Sequence, residues 1–342
     1  MRFQLDDYKI IRTSAVQPEE IIDYGVNMVG APLEWGETMG GGVKVGIIDT
    51  GIDAGHVDLK NRIADYVNFT AAGGPEDIDD ENGHGTHVSG IVAAEKNGVG
   101  VVGVAPEAKL YIAKAFDKTG KTTYPAIAKS LNWMMDKQVD VINMSFSSGL
   151  STKEYANLIA KVHQSGISMI CAAGNEGELG DNTIGYPANF KDTIAVTAVD
   201  INKRITDFSS TGTAAEIAAA GKDIYSTYLD NGYATLSGTS MATPIITGAV
   251  AILQGKGMRR YNRKLTPDEI RLLLNIYTEE LGAGGRSHQY GYGLFSFGRI
   301  GESDFVGRSY PSRVAADGSL KGHISRDTLV DLALAAIVTL TK

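Results

Sequence analysis

Four polar residues stand in phrases able to do acyl-transfer chemistry. Ser240, in Gly238-Thr239-Ser240-Met241-Ala242-Thr243-Pro244, precedes a run through Ile252 that reads as a helix. A helix N-terminus has unpaired N–H groups and favours negative charge. A serine hydroxyl becomes a nucleophile only with a base to take its proton and donors to hold the oxyanion that follows. The same serine would serve equally as an ordinary N-cap. His84 lies between glycines in Asn82-Gly83-His84-Gly85-Thr86-His87, which keeps its imidazole accessible and lets backbone approach closely. Its other readings are a helix-terminal histidine without chemistry, or a metal ligand with His87. The metal needs at least one further ligand, and the chain has no HExxH phrase and no cysteine pair. Asp49 closes an apolar run and is followed by Thr50-Gly51. It could fix a histidine tautomer and stabilise the imidazolium, or simply cap a turn. Asn175, in Ala172-Ala173-Gly174-Asn175-Glu176-Gly177, could donate its amide to an oxyanion, or be a turn asparagine with positive φ.

The elements that must position these residues alternate along the chain. Val43–Asp49, Lys109–Ala115, Val139–Met144, Ile167–Ala172 and Thr193–Val199 read as strands. Helical spacing covers Thr86–Ala94, Tyr124–Lys137 and Lys153–Gln164, with two further helices starting at Met241 and Thr266. Residues 70–83 are Gly- and acid-rich and read as loop, and Tyr290–Leu294 as a turn. Strand–helix alternation predicts an α/β fold with a doubly wound, mostly parallel sheet and helices on both faces. Ligands bind such sheets beyond the carboxyl ends of the strands, where Asp49, Ser145 and Asn175 all fall. A chain of 342 residues with 43% apolar and 21% charged residues can bury a sizeable core. Net charge is −8, which argues against nucleic acid as a partner. Cys171 is the single cysteine, so no intrachain disulfide forms. The first residues lack the apolar core of a secretory signal, and no apolar run is long enough to span a bilayer. These features predict a cytoplasmic protein that does not bind membranes.

Each phrase alone is weak. Together, in the order Asp, His, Ser, they resemble the subtilisin-like serine proteases, most closely an intracellular subtilisin. The matching phrases are Ile48–Asp53, His84–Gly90, Ala172–Gly177 and Gly238–Pro244, and the resemblance runs from about Tyr24 to Gly298. It implies a serine endopeptidase with Ser240 as nucleophile, His84 as general base and then acid, and Asp49 orienting His84. The Asn175 side chain and the Ser240 N–H would form the oxyanion hole. Ile245 stands where the family has a histidine, a packing position. The resemblance also implies that a substrate strand adds between Gly120-Lys121-Thr122 and Ser145-Phe146-Ser147. Phe146-Ser147 replaces the family's Leu-Gly. Gly174 and Gly185 match the walls of a first specificity pocket with no charge at its base, fit for a large apolar residue. Tyr124 and Ile127 match the wall of a second apolar pocket, or are plain helix packing.

A calcium site is implied by the loop Glu95–Val101, whose glycine spacing turns carbonyls of Glu95, Val99 and Val101 and the Asn97 amide inward. Asp58 matches the family's carboxylate ligand, and Glu20 falls where the family has glutamine. A plain surface loop is the competing reading. A weaker cation site would use the carbonyls of Ala188, Phe190 and Thr193. Three regions follow: an N-terminal extension, 1–18, lying across the active site as an autoinhibitor; a catalytic domain, 19–300; and a tail, 301–342, read as helix in its last part by its apolar run. The family phrase Leu-Ile-Pro-Tyr is replaced by Leu5-Asp6-Asp7-Tyr8. Partners are protein or peptide substrates and, by resemblance, a second copy in a homodimer. An inactive binding protein on the same fold is the alternative, against which the four intact residues speak. A nucleotide-binding reading from Gly40-Gly41-Gly42 fails because those glycines precede their strand.

Overall fold

The computed structural model describes residues 2–5, 9–14, 19–282 and 284–299, with backbone alone for 2, 4, 9–14 and 299. The 301–342 tail, Asp6–Tyr8 and the stretch around Val16 lie outside the described residues. In chain order the elements are β1 (Arg2–Gln4), β2 (Lys9–Ser14), α1 (Tyr24–Met28), β3 (Lys44–Asp49), β4 (Ile63–Asn68) and α2 (His84–Ala93). There follow β5 (Lys109–Lys114), β6 (Lys121–Thr123), α3 (Tyr124–Lys137), β7 (Val141–Met144), α4 (Lys153–Gln164), β8 (Ser168–Ala172) and β9 (Ile194–Val199). The last are β10 (Ala215–Ala220), β11 (Ile224–Tyr228), β12 (Gly232–Ser237), α5 (Thr239–Tyr261), α6 (Pro267–Ile276), β13 (Thr278–Glu279) and β14 (Leu294–Phe295).

The main sheet runs β13-β14-β10-β9-β8-β7-β3-β5-β4 and is parallel except at β13–β14. Its central strands β3, β7, β8 and β9 are buried on both faces, the pattern of a sheet covered by helices. On β3, Val45 and Ile47 join the apolar cluster that includes α2, α5 and α6 residues, while Ile48 joins the one built with α3 and α4. A Cβ at Gly46 would stand 2.5 Å from Met134 Sδ, so the glycine lets α3 lie close on the sheet. Local signals set the helix ends. Thr266 and Glu269 form a reciprocal capping box ahead of α6, and Thr152 caps α4. From β3 the chain goes to one side of the sheet, then crosses back to β7 and continues outward. The winding therefore reverses between β3 and β7, where ligand crevices form.

Strands beyond the five expected include β4, β6, β10, β11 and β12. β10 is alanine-rich, a composition without strand preference, and its pairing with β9 decides it. β11 and β12 form a hairpin closed at Asp230 and Asn231, both with positive φ. β4 is an edge strand with an exposure pattern too mixed to read. α5 is also longer than its sequence pattern predicts, ending at Asn262 in the left-handed region.

Two small sheets involve the N-terminal residues. β1 pairs antiparallel with β6, Phe3 opposite Thr122, and the Leu5 N–H donates to Gly120 O at 2.8 Å. β2 pairs antiparallel with β12, Lys9 opposite Ser237.

Candidate active site

The carboxyl ends of neighbouring strands β3, β7 and β8 present Asp49, Ser145 and Asn175 side by side, as the alternation predicts. His84 is the first residue of α2, two residues earlier than the helical spacing suggests. Gly83 precedes it with φ +95, and a Cβ there would meet the Tyr228 ring at 2.3 Å. His84 Nδ1 lies 2.8 Å from Asp49 Oδ1, and both side chains are fully buried. A carboxylate only accepts, so Nδ1 carries the proton and Nε2 holds the lone pair, as a general base requires. The same Oδ1 accepts the Thr50 N–H at 2.8 Å.

Asp80, in the stretch read as acid-rich loop, fixes this geometry. Its Oδ1 accepts the Thr50 hydroxyl at 2.8 Å and the Gly83 N–H at 2.9 Å, and its Oδ2 accepts the Thr86 N–H at 2.9 Å. Thr50 Oγ1 in turn accepts the Gly85 N–H at 3.0 Å. The buried carboxylate thus joins the end of β3 to the first turn of α2, where helix N–H groups favour an anion. Sequence alone offers no more than an acidic residue four before His84. His87 takes no part with His84. Its Nε2 lies 3.1 Å from Ile224 O and 3.0 Å from Ala234 O. Burial pushes its pKa down to about 3, so it stays neutral.

Asn175 Oδ1 accepts both the N–H and the hydroxyl of Thr239, each at 2.9 Å. That fixes the amide orientation and leaves the NH2 as its donor end. A Cβ built on Gly238 would be 3.2 Å from Asn175 Nδ2 and 3.7 Å from Ser240 N. Both nitrogens therefore border the space that glycine leaves open at 238, an arrangement able to serve an oxyanion. The Ser240 hydroxyl donates to Ser145 O at 3.0 Å, so giving its proton to a base would require it to rotate.

Around the first pocket, a Cβ at either Gly174 or Gly185 would lie 3.3 Å from Ser147 Oγ, so these three residues do meet. A charged group also stands beside the Gly174 wall. Glu176 Oε2 would be 2.4 Å from a Gly174 Cβ and accepts the Ser210 hydroxyl at 2.9 Å. The turn at Gly177 packs on the Asp207–Ser209 backbone and folds this carboxylate back over the wall. Phe146 is fully buried, 5.0 Å from the Phe116 ring and 6.0 Å from Phe3. At the second pocket Tyr124 and Ile127 are joined by Tyr155 and Phe190, which sequence reasoning missed. Phe3 enters this cluster 5.6 Å edge-on from Tyr155.

Near the proposed cation loop, Asp58 accepts from Asn97 Nδ2 at 3.0 Å, Val101 N at 3.0 Å and Tyr233 OH at 2.9 Å. Glu20 Oε1 accepts the Gly98 N–H at 2.8 Å, and Asn97 Oδ1 accepts the Val99 N–H at 3.0 Å. The Glu95 carboxylate is turned away, to Arg62 at 3.0 Å and Asn61 at 2.8 Å, leaving only its carbonyl to the loop. Among the described residues no three His, Cys, Asp or Glu side chains cluster as a metal site. At the weaker site protein groups already reach the carbonyls. The Thr193 hydroxyl sits 2.8 Å from Phe190 O and 3.3 Å from Ala188 O, and Arg271 donates to Thr193 O at 2.6 Å. Phe190 O also accepts the Thr193 N–H at 3.2 Å, so Phe190 O and Thr193 O have donors and Ala188 O faces the threonine hydroxyl.

With strand order, buried Asp–His pair and paired donors in view, the chain matches the profile of the subtilase family, peptidase S8, over residues 40–293, and it belongs to that family. It is a serine endopeptidase. It is 41% identical over 279 residues to an intracellular serine protease of Paenibacillus polymyxa, covering 80% of this chain and 85% of that one. It is 41% identical to subtilisin DY of Bacillus licheniformis, covering 81% and 97% respectively. The major intracellular serine protease of Bacillus subtilis (strain 168) is 37% identical over 75% of this chain and 83% of its own. Among the described residues no helix is long and apolar enough to cross a membrane.

Proposed function

We propose that Ser240 attacks the scissile carbonyl, that His84 takes its proton and returns it to the leaving amine, and that Asp49 holds the His84 tautomer. Asn175 Nδ2 and Ser240 N stabilise the tetrahedral oxyanion before and after the acyl-enzyme. The observation that carries this reading is the buried 2.8 Å His84–Asp49 contact at the winding reversal, with both oxyanion donors facing one gap. Substrate adds as a strand on β6, its apolar side chains entering the two pockets. Ser240→Ala should abolish both fluorophosphonate labelling and peptide hydrolysis. Labelling that persists at another residue would overturn the assignment.

Residues 1–18 inhibit in cis. The pairing of β1 with β6 supports this, because it occupies the strand position a substrate needs, and Phe3 fills the second pocket. Tethering makes even modest contacts effective through high local concentration. A chain beginning at Glu19 should turn over peptides faster than the full chain with its extension verified intact by mass spectrometry. Equal rates would exclude inhibition.

Calcium is held by the loop. Glu20, Asp58, the Asn97 amide and carbonyls of Glu95, Val99 and Val101 are all hard oxygen donors, the chemistry that ion selects. When bound, it supplies charge compensation and cross-links residue 20 to the loop. The protein acts inside the cell as a homodimer, which sedimentation of the full chain would test. Large apolar residues are preferred before the scissile bond.

A further inference from the structure

Pro244 lies inside α5, where it has no N–H to give to the carbonyl four residues earlier, that of Ser240. The carbonyl of the nucleophile is therefore without its helical donor at a fully buried position. The Ser145 hydroxyl replaces that donor, reaching Ser240 O at 2.9 Å. Ser145 Oγ accepts from Asn143 Nδ2 at 2.9 Å, and Asn143 Oδ1 lies 2.9 Å from the Thr247 hydroxyl. Thr247 also has Thr243 O at 3.0 Å, so its hydroxyl lies between its own helix and β7. Asn143, Ser145 and Thr247 are all fully buried.

We infer that Pro244 is placed to free the Ser240 carbonyl, so that the relay Thr247–Asn143–Ser145 ties the nucleophile's backbone to the end of β7. The Asn143 amide is placed with its NH2 towards Ser145, so Ser145 Oγ accepts there and its own proton is left for Ser240 O. A helix-internal bond would hold Ser240 only to α5. The relay holds it to the strand that also presents Ser145 O, the acceptor of its hydroxyl, and Ser147 at the first pocket. Asn143, Thr247 and the Ser145 hydroxyl are thus positioning residues, acting through Ser240 and not on substrate. The inference rests on Ser240 as nucleophile, which the labelling of Ser240→Ala tests separately.

The test is a double-mutant cycle in the full chain. Ser145→Ala should slow fluorophosphonate acylation and kcat by about 10- to 100-fold, the effect of a buried carbonyl losing its donor. KM should stay within about twofold and the pH profile should keep its midpoint, because substrate contacts and His84 are untouched. Pro244→Ala supplies an N–H to Ser240 O. Introduced into the Ser145→Ala chain, it should recover about tenfold or more of the lost rate. Thr247→Val, nearly isosteric, gives a second cycle with Pro244→Ala should Ser145→Ala not fold, with a smaller loss and the same recovery. Strictly additive effects in both cycles would overturn the inference. So would a loss confined to KM, or a fall in melting temperature with unchanged acylation below it.

Discussion

Replacing Phe3 by alanine separates an inhibitory extension from one that merely lies on the surface. The Phe3 side chain is 2% exposed, edge-on to Phe146 at 6.0 Å and to Tyr155 at 5.6 Å. Burying a phenylalanine contributes about 1.5–3 kcal/mol, and each well-placed aromatic pair about 0.5–1.5 kcal/mol more. Undocked, the pocket opens to solvent, so no trapped cavity adds to the cost. A loss on the order of 3 kcal/mol lowers the docked-to-free ratio of β1 roughly 150-fold. The β1–β6 backbone bonds survive the substitution, and they are worth only about 1 kcal/mol each net. Initial rates on a short peptide substrate, with the extension verified intact by mass spectrometry, should rise toward those of the chain beginning at Glu19. Phe3→Leu should fall between alanine and wild type. If Phe3→Ala stays as slow as the full chain while the shorter chain is fast, the second pocket is not the anchor. Inhibition would then come from elsewhere along residues 1–18.

Gly238→Ala should leave the fold intact, since its φ of 162 is extended backbone open to any residue. Its Cβ would stand 3.2 Å from Asn175 Nδ2, and kcat should fall by about two to three decades, a magnitude taken from removal of one oxyanion donor in another subtilisin. Unchanged turnover would remove that gap from the mechanism. Calcium chelation should lower the melting temperature of the Ser240→Ala chain, and Asp58→Ala should blunt the response; identical shifts in both proteins would count against the loop. Burial, partly offset by N–H donors from Gly25 and Tyr225, raises the Asp23 carboxyl from 3.8 to about 6. The native state then holds a proton that the unfolded chain has released. Stability from this group is full below about pH 4 and lost as pH rises through 6, on the order of 3 kcal/mol. Asp23→Asn should flatten that slope in denaturant titrations between pH 4 and 6, and a slope equal to wild type would contradict the burial argument.

The chemistry was legible because it sits in short phrases. Asp49, His84, Asn175 and Ser240 each follow a strand or open a helix, and alternation alone brought Asp49 and Asn175 to one end of the sheet. What escaped was whatever depends on distant backbone. Nothing in Asp80-Glu81 announces a carboxylate that accepts from Thr50, Gly83 and Thr86 at once. Glu176 stood in a recognised phrase, yet only the packing of the Gly177 turn brings its carboxylate beside Gly174 and Ser210. Ala215–Ala220 has helical composition and becomes a strand because β9 and β14 supply its partners. The weak cation site was read from three carbonyl positions, and carbonyl positions say nothing of a threonine hydroxyl or an arginine that reaches them first.

One of the strands that sequence missed, β12, explains how distant parts can bear on Ser240. Its Ser237 end leads within three residues to Ser240, and the same end pairs with Lys9 of the extension. At its other end the Tyr233 hydroxyl donates to Asp58 beside the Glu95–Val101 loop, and His56 Nε2 lies 2.9 Å from Gly232 O. Between them, Ala234 O receives His87 from the helix that begins with His84. A displacement of β12 along its length would therefore disturb the extension, the loop and α2 together. Undocking β2 leaves β12 paired with β11 alone, an edge with free backbone groups. The loop then becomes the main remaining restraint at the Tyr233 end. Loss of the cation should accordingly destabilise the chain beginning at Glu19 more than the full chain, and chelator-induced shifts in melting temperature, compared in Ser240→Ala versions of both, measure that difference directly. Equal shifts would mean that the two ends of β12 are held independently.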